Sequence, residues 1–346
     1  MSYAKEQRLQ SVAAPELALV EKRMREILRC PPPLQAIAEY ILSLGGKRIR
    51  PLLVLLCSGI YPGSQAARID IAAAAELIHT ASLLHDDVVD AASLRRGRPS
   101  VNRRWGNSTS VLAGDFLFAR AFSLLCTYPQ ALDAMAEAVA AMSEGELLQL
   151  HSHFNPDITP ETYVRSIIGK TASLLAACCQ CGGLVSAMPA AKIPALRDFG
   201  LHLGIAYQII DDISDYALGH DESGKPRGND LKHGIITLPL MHLLANPRSR
   251  GRVLELLRQK RQLAPEMLAG ELRETGALAK SARAASRYIQ QALGKLAVFP
   301  DTQQVRALKN LAAWLQEKCD RFSQDSGPPQ HPGQPAEHPG AQPRLR

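Results

Sequence analysis

The stretch Ile71-Ala72-Ala73-Ala74-Ala75-Glu76-Leu77-Ile78 continues through His79-Thr80-Ala81-Ser82-Leu83-Leu84 into His85-Asp86-Asp87-Val88-Val89-Asp90. Its apolar residues show no period-two alternation and recur at helical spacing, so it reads as one long buried helix. Positions i and i+4 share a helix face, so Asp86 and Asp90 aim two carboxylates the same way. The spacing returns in Tyr207-Gln208-Ile209-Ile210-Asp211-Asp212-Ile213-Ser214-Asp215, where Asp211 and Asp215 pair likewise. Acids are favoured at helix N-termini by the dipole, yet both clusters close an apolar run at its other end. One such cluster reads equally well as a solvated helix end; a matched pair that tolerates this cost points to function.

Several carboxylates converging on one cavity repel strongly unless a cation neutralises them. Hard oxygen donors select Mg²⁺, with Mn²⁺ as a substitute, and Mg²⁺ bridges a few carboxylates to substrate phosphates. Asp86, Asp87, Asp90, Asp211, Asp212 and Asp215 therefore read as a metal clamp for a phosphorylated substrate.

Working outward, the 346 residues are 46% hydrophobic and only 5% aromatic, which suits close-packed Ala- and Leu-rich helices. The net charge of +7 is mild, and nothing resembles a nucleic-acid-binding module. Seven scattered cysteines form no disulfide framework, which implies a reducing compartment. Cys178 and Cys181 make a CxxC beside an apolar run with no second pair near, so core packing is the reading there. Met1 to Val20 carries charges without a continuous apolar segment, against a signal peptide, and runs such as Leu52 to Cys57 are too short to span a bilayer. A soluble, cytoplasmic protein is expected.

The helical pattern predicts helices over 17–30, 34–44, 108–125, 130–150, 161–187 and 193–216, with more from 231 to 325. Asp70 is the expected cap of the long first-cluster helix, and 91–107 is expected to be a loop. Residues 1–325 are expected to form one catalytic domain. Residues 326–346 are rich in Pro and Gly and too poor in apolar side chains to order themselves.

A diphosphate site also needs cations, and arginine forks match phosphate oxygens especially well. Gly45-Gly46-Lys47-Arg48-Ile49-Arg50-Pro51, Arg95-Arg96-Gly97-Arg98-Pro99, Gly169-Lys170-Thr171 and Gly224-Lys225 supply them. Gly169-Lys170-Thr171 is no P-loop, because Val164 stands where that pattern needs glycine. Each basic piece alone reads as surface charge; their order around the acid clusters carries the information.

That ordered set, together with Gly114-Asp115-Phe116-Leu117 and Asp230-Leu231-Lys232, resembles the trans-isoprenyl diphosphate synthases of the polyprenyl synthetase family across roughly residues 15–322. The resemblance implies an all-α fold, antiparallel helices around a deep central cavity, and a homodimer. It implies Mg²⁺-assisted ionisation of an allylic diphosphate, attack by the double bond of isopentenyl diphosphate, and proton loss. By the same resemblance Asp86, Asp90 and Asp211 ligate the metal while Asp87, Asp212 and Asp215 support them. Arg95, Lys170, Thr171, Gln208 and Lys225 hold the allylic diphosphate; Lys47, Arg50, His79 and Arg96 hold isopentenyl diphosphate. One departure is Ile235, where many relatives carry Lys, so weaker diphosphate binding or slower ionisation is expected.

The growing chain should run from the first cluster down its own helix, where one turn rises about 5.4 Å, close to one isoprene unit. Ala81 and Ser82 lie just before Asp86, and Ile78, Ala75 and Ala74 lie deeper. Short-chain relatives tend to have an aromatic residue at the first positions. The small residues suit close helix packing, but within this family they indicate an open tunnel and a long product, about C30 to C50 at one unit per turn, of the kind used for quinone side chains. Rival readings are a catalytic or regulatory subunit of a heteromeric synthase, a C15 to C20 synthase, and a terpene cyclase. Both acid clusters are complete, against a regulatory subunit, and the paired cation sites suit two diphosphates, against a cyclase. Arg248, Arg250, Arg252, Arg258, Lys260 and Arg261 read as a solvated face, or at most as a peripheral membrane contact for product release.

Overall fold

A computed structural model describes residues 12–216, 228–259 and 265–324. Lys225, Lys260, Arg261 and the 326–346 tail lie outside the described residues. The architecture is all-α, as expected. In chain order, α1 is Ala14–Ile27, α2 Leu34–Ser43, α3 Ile49–Ser58 and α4 Gln65–Val89. After a hairpin (β1 Leu94–Arg95, β2 Arg98–Pro99) come α5 Val101–Trp105, α6 Asn107–Leu125, α7 Pro129–His151 and α8 Pro160–Ile167. A π-helical turn, Ile168–Ala172, leads into α9 Ser173–Leu184 and then α10 Ile193–Tyr216. The chain closes with α11 Asn229–Lys232, α12 Leu238–Ala245, α13 Pro247–Gln259, α14 Ala269–Thr275, α15 Ala277–Lys295 and α16 Gln303–Gln324.

Two expectations need correction. The long helix begins at Gln65, where the Ser64 hydroxyl caps it by accepting from the Ala67 amide at 3.3 Å. Asp70 lies inside the helix and instead accepts from Arg23 Nε at 2.7 Å and from the Tyr128 hydroxyl at 3.1 Å. The 91–107 loop holds structure of its own: Leu94 pairs with Pro99 and Arg95 with Arg98, antiparallel, and α5 follows. Positive φ at Arg96 and Gly97 makes the tight turn between those strands.

α3, α4, α9 and α10 pack at the centre of one large apolar core, with α1, α2, α6, α7, α15 and α16 around them. Ile71 to Ala75, Leu77 and Ile78 are sealed from solvent, so the alanines let neighbouring helices approach closely. A smaller core beneath α12 to α14 joins Tyr216, Leu231, Leu240, Leu243 and Leu256 beside the end of α10. Cys57, Cys178, Cys179 and Cys181 are buried free thiols, and burial pushes the Cys178 thiol well up, so packing is their role.

Residues 107–125 and 160–184 are long and apolar enough to cross a membrane by length and composition, longer than the runs singled out in the sequence. The second is core, with 72% of its apolar window buried; α6 has only 33% buried and leaves a face uncovered.

Candidate active site

Both acid clusters stand on the last turns of their helices, as the spacing requires. On α4, two faces do different work. Asp87 is buried and clamps Arg95, whose Nε lies 3.0 Å from Oδ1 and whose Nη2 also donates to it. The Asp87 carbonyl accepts from Asn102 Nδ2 at 2.9 Å, which ties the hairpin and α5 to the helix end. Asp86 and Asp90 lie one turn apart on the other side. Burial pushes the Asp86 carboxyl up to about 6; Glu146 and Asp90 push the same way, while Lys170 and Arg95 pull it back.

On α10, Asp212 is buried and accepts from the Tyr163 hydroxyl at 2.6 Å and from Gln208 Nε2 at 2.8 Å. Burial still lifts it to about 7, with the neighbouring Asp211 adding to the effect. The Gln208 amide oxygen accepts from the Thr171 hydroxyl at 2.6 Å, so two residues assigned to the allylic diphosphate are joined directly. Asp215 accepts from the Asp230 amide at 3.0 Å, and Asp211 is exposed at the helix surface.

Lys170 connects the two clusters. It rises from the π turn, where an added Cβ on Gly169 would meet the Ala141 carbonyl at 2.6 Å and one on Gly145 would meet the Lys170 amide nitrogen at 2.5 Å. That backbone contact brings Lys170 Nζ to 2.8 Å from Glu146 Oε2. The Lys170 charge acts on Asp86 and Asp90 from α4 and on Asp212 and Asp230 from the other side. The two acid clusters therefore share one electrostatic field centred on this lysine. Single-turn π insertions recur at functional sites, and this one aims the cation.

Arg50, His79 and Arg96 come together, whereas Lys47 is exposed and turns toward the last helix. The Arg50 Nε is buried without a hydrogen-bond partner. Burial first, then Arg50 and Arg96, drive His79 well below the usual histidine range, so it is neutral. Lys47 lies 5.6 Å from the ring centroid of Trp314 on α16.

The chain matches the polyprenyl synthetase family over residues 31–269, more than half its length. The chain belongs to this family. It is 37% identical to octaprenyl diphosphate synthase of Escherichia coli over 314 residues, covering 88% of this chain and 97% of that one. Heptaprenyl diphosphate synthase component 2 of Geobacillus stearothermophilus is 34% identical over 308 residues, 88% of this chain and 96% of that one. A polyprenyl synthase from Caulobacter crescentus, solved with calcium and isoprenyl diphosphate, superposes with a TM-score of 0.84 at 36% identity, covering 90% and 97% of the two chains. This polyprenyl synthetase is a prenyltransferase, and its family works on isopentenyl and allylic diphosphates.

Several functional contacts of this synthetase were not apparent from the sequence. Glu76 is buried and accepts from Arg48 at 2.7 Å; Glu146 holds Lys170; Tyr163 holds Asp212; and Asp230 is driven well above the carboxylate range by burial and by Asp212 and Asp215. Only Asp230 had a readable signal, its place in the Asp230-Leu231-Lys232 motif. Ile235 lines a cleft, partly open to solvent, with Asp212, Asp230, Lys170 and Gln208. Ala74, Ala75, Ile78 and Ala81 are sealed in the core along α4, so the open tunnel expected beside them is closed in this structure, and Ser82 is partly buried with its hydroxyl on the His79 carbonyl.

Among the described residues, no three Asp, Glu, His or Cys side chains converge as a ready-made metal cage. The synthetase instead presents hard oxygen donors on the ends of two helices, and burial raises the carboxyls of Asp86 and Asp212 among them. That donor set fits Mg²⁺, which takes one or two carboxylates and leaves its other positions to water and phosphate.

Proposed function

We propose that this prenyltransferase extends an allylic diphosphate such as farnesyl diphosphate with isopentenyl diphosphate, giving an all-trans polyprenyl diphosphate of about C30 to C50, one C5 unit for each small-lined turn of about 5.4 Å. The observation that carries the reading is the pair of intact acid clusters sharing Lys170, with small side chains down α4 behind the first cluster. Asp86, Asp90 and Asp211 would hold Mg²⁺, which when bound neutralises charge gathering on the departing diphosphate. Lys170, Arg95 and the Thr171–Gln208 pair orient that diphosphate, and preorganised cations stabilise the charge as it develops. Arg50, Arg96 and neutral His79 fix isopentenyl diphosphate so that its double bond approaches the allylic carbon. The apolar surroundings of α4 exclude water from the carbocation.

The uncovered face of α6, with Val111 38% and Leu112 66% exposed, supports a homodimer joined through that helix. A second reading has the same face meeting a different subunit, since one relative carries the name component 2. Incubating the purified chain with isopentenyl diphosphate, farnesyl diphosphate and Mg²⁺ tests both: a single long product supports the homomeric enzyme, and no product moves the reading to a heteromer. Ala81→Phe puts a ring against the proposed tunnel and should shorten the product by several units, at an overpacking cost of about 1–3 kcal/mol. An unchanged product length would sink the tunnel.

A further inference from the structure

We propose that the Arg48–Glu76 ion pair positions the whole isopentenyl diphosphate site without touching the substrate; the inference rests on the assignment of Lys47, Arg50, His79 and Arg96 to that substrate. Arg48 is a non-glycine residue in left-handed backbone, φ 51° and ψ 34°, at the entry to α3. Such conformations persist where the surroundings impose them, and they gather at functional sites. Here the residue's own side chain does the holding. Its Nη1 donates to Glu76 Oε1 at 2.7 Å and to the Gly45 carbonyl at 3.3 Å, and its Nε donates to Glu21 Oε1 at 2.6 Å. The guanidinium thus bolts the Gly45-Gly46 turn to α1 and to the middle of α4.

Each assigned group stands one step from that bolt. Lys47 precedes Arg48, and Arg50 follows two residues later. His79 lies three residues after Glu76, on the same face of α4. Arg96 crosses the turn at Gly46, where a Cβ would sit 2.7 Å from Arg96 Nη1, and it donates to the Leu44 carbonyl at 3.3 Å. Glu76 is 3% exposed and is the foremost carboxylate supporting the charge on both Arg50 and Arg96. One buried carboxylate among three arginines leaves the site net positive and fixed for an anion. Lys170, Thr171 and Gln208 stand on the π turn and α10, and Arg95 is held by Asp87 rather than by Arg48, so a slip of Arg48 leaves the allylic side in place.

Arg48→Lys keeps the charge but replaces a fork that spans two carboxylates with a single ammonium. Calorimetric binding of isopentenyl diphosphate alone, and its KM, should each weaken about tenfold, with the allylic KM within about twofold and melting still cooperative. Equal rises in both KM values, or unchanged isopentenyl binding, overturn the positioning role. If Arg48→Lys does not melt cooperatively, Glu21→Gln decides instead, since it loosens only the outer end of the bolt. A smaller but still selective loss of isopentenyl affinity supports the role, and no loss overturns it. Arg50→Gln tests the assignment underneath: isopentenyl binding that survives this change refutes the site itself, whereas loss in Arg50→Gln alone refutes only the positioning.

Discussion

The two diphosphate sides proposed for this site are prepared differently. On the isopentenyl side, Arg50 and Arg96 surround one buried carboxylate, His79 is neutral, and a donor on Arg50 stands open. On the metal side, the cations are already occupied: Arg95 lies on Asp87 and Lys170 on Glu146. The first arrangement is preorganised for an anion. The second holds its charges in internal pairs until metal and substrate arrive, and so avoids a field of bare carboxylates. An ordered helix end can therefore store either an open site or a latent one, depending on whether acids or bases are in excess around it.

The largest effect should come from the latent side. Asp86→Asn removes an oxygen donor and a charge from the metal position, and kcat should fall about 10³-fold, a loss of about 4 kcal/mol of transition-state stabilisation. Asp212→Asn should cost less, because Tyr163 and Gln208 already hold that side chain away from a ligand role. Steady-state rates at saturating Mg²⁺ compare them, and an equal loss would erase the distinction between ligand and support.

Glu146→Gln sharpens the contrast more directly. With the partner of Lys170 neutralised, inorganic pyrophosphate should bind the metal-free enzyme about three- to tenfold more tightly, a change of order 1 kcal/mol. Calorimetry in chelator measures it. Unchanged affinity would mean that Lys170 is not withheld by Glu146 at all.

Much of this was legible in the sequence, and the rest was not for a physical reason. Periodicity marked α10 to the residue, and the Asp spacing marked both helix ends, because both are local patterns. Ser64 was missed because Asp70 also stands before an apolar run, and only the fold shows that Arg23 and Tyr128 claim it. The π turn at Ile168–Ala172 adds its residue without breaking the apolar run, so 161–187 reads as one helix. Glu76 and Glu146 look like any acid within a helix; what sets them apart is Arg48, 28 residues from Glu76, and Lys170, on a different helix from Glu146. Pairings across elements are decided by packing, and no spacing rule announces them.

A pH series tests the latent side as a whole. Asp86 near 6 and Asp212 near 7 stand above the ordinary carboxyl value of 3.8, mainly through burial. Raised carboxyls lend stability that is full below about pH 4 and lost as the pH climbs through 6 and 7. Metal held by Asp86 requires its ionised form, so binding should restore the part of that loss that Asp86 carries. The gap between melting temperatures with and without Mg²⁺ should widen from about pH 5 to pH 8. A gap that stays constant would place metal binding on other groups.

The smallest effect should come from Ile235. Its backbone amide donates to the Asp230 carbonyl at 2.8 Å, and its side chain lines the cleft with Asp212 and Asp230, where Lys170 is the cation opposing them. In Ile235→Lys, a second cation would draw Asp212 and Asp230 toward their ionised forms and give the allylic diphosphate another partner. The long side chain loses rotamer freedom on docking, which offsets part of the gain. A fall in the allylic KM or a rise in kcat of about two- to fivefold is expected, with the isopentenyl KM unmoved. If the isopentenyl KM moved instead, the two sides would be coupled through the cavity, and the contrast between a prepared site and a latent one would have to be redrawn as a single charge balance.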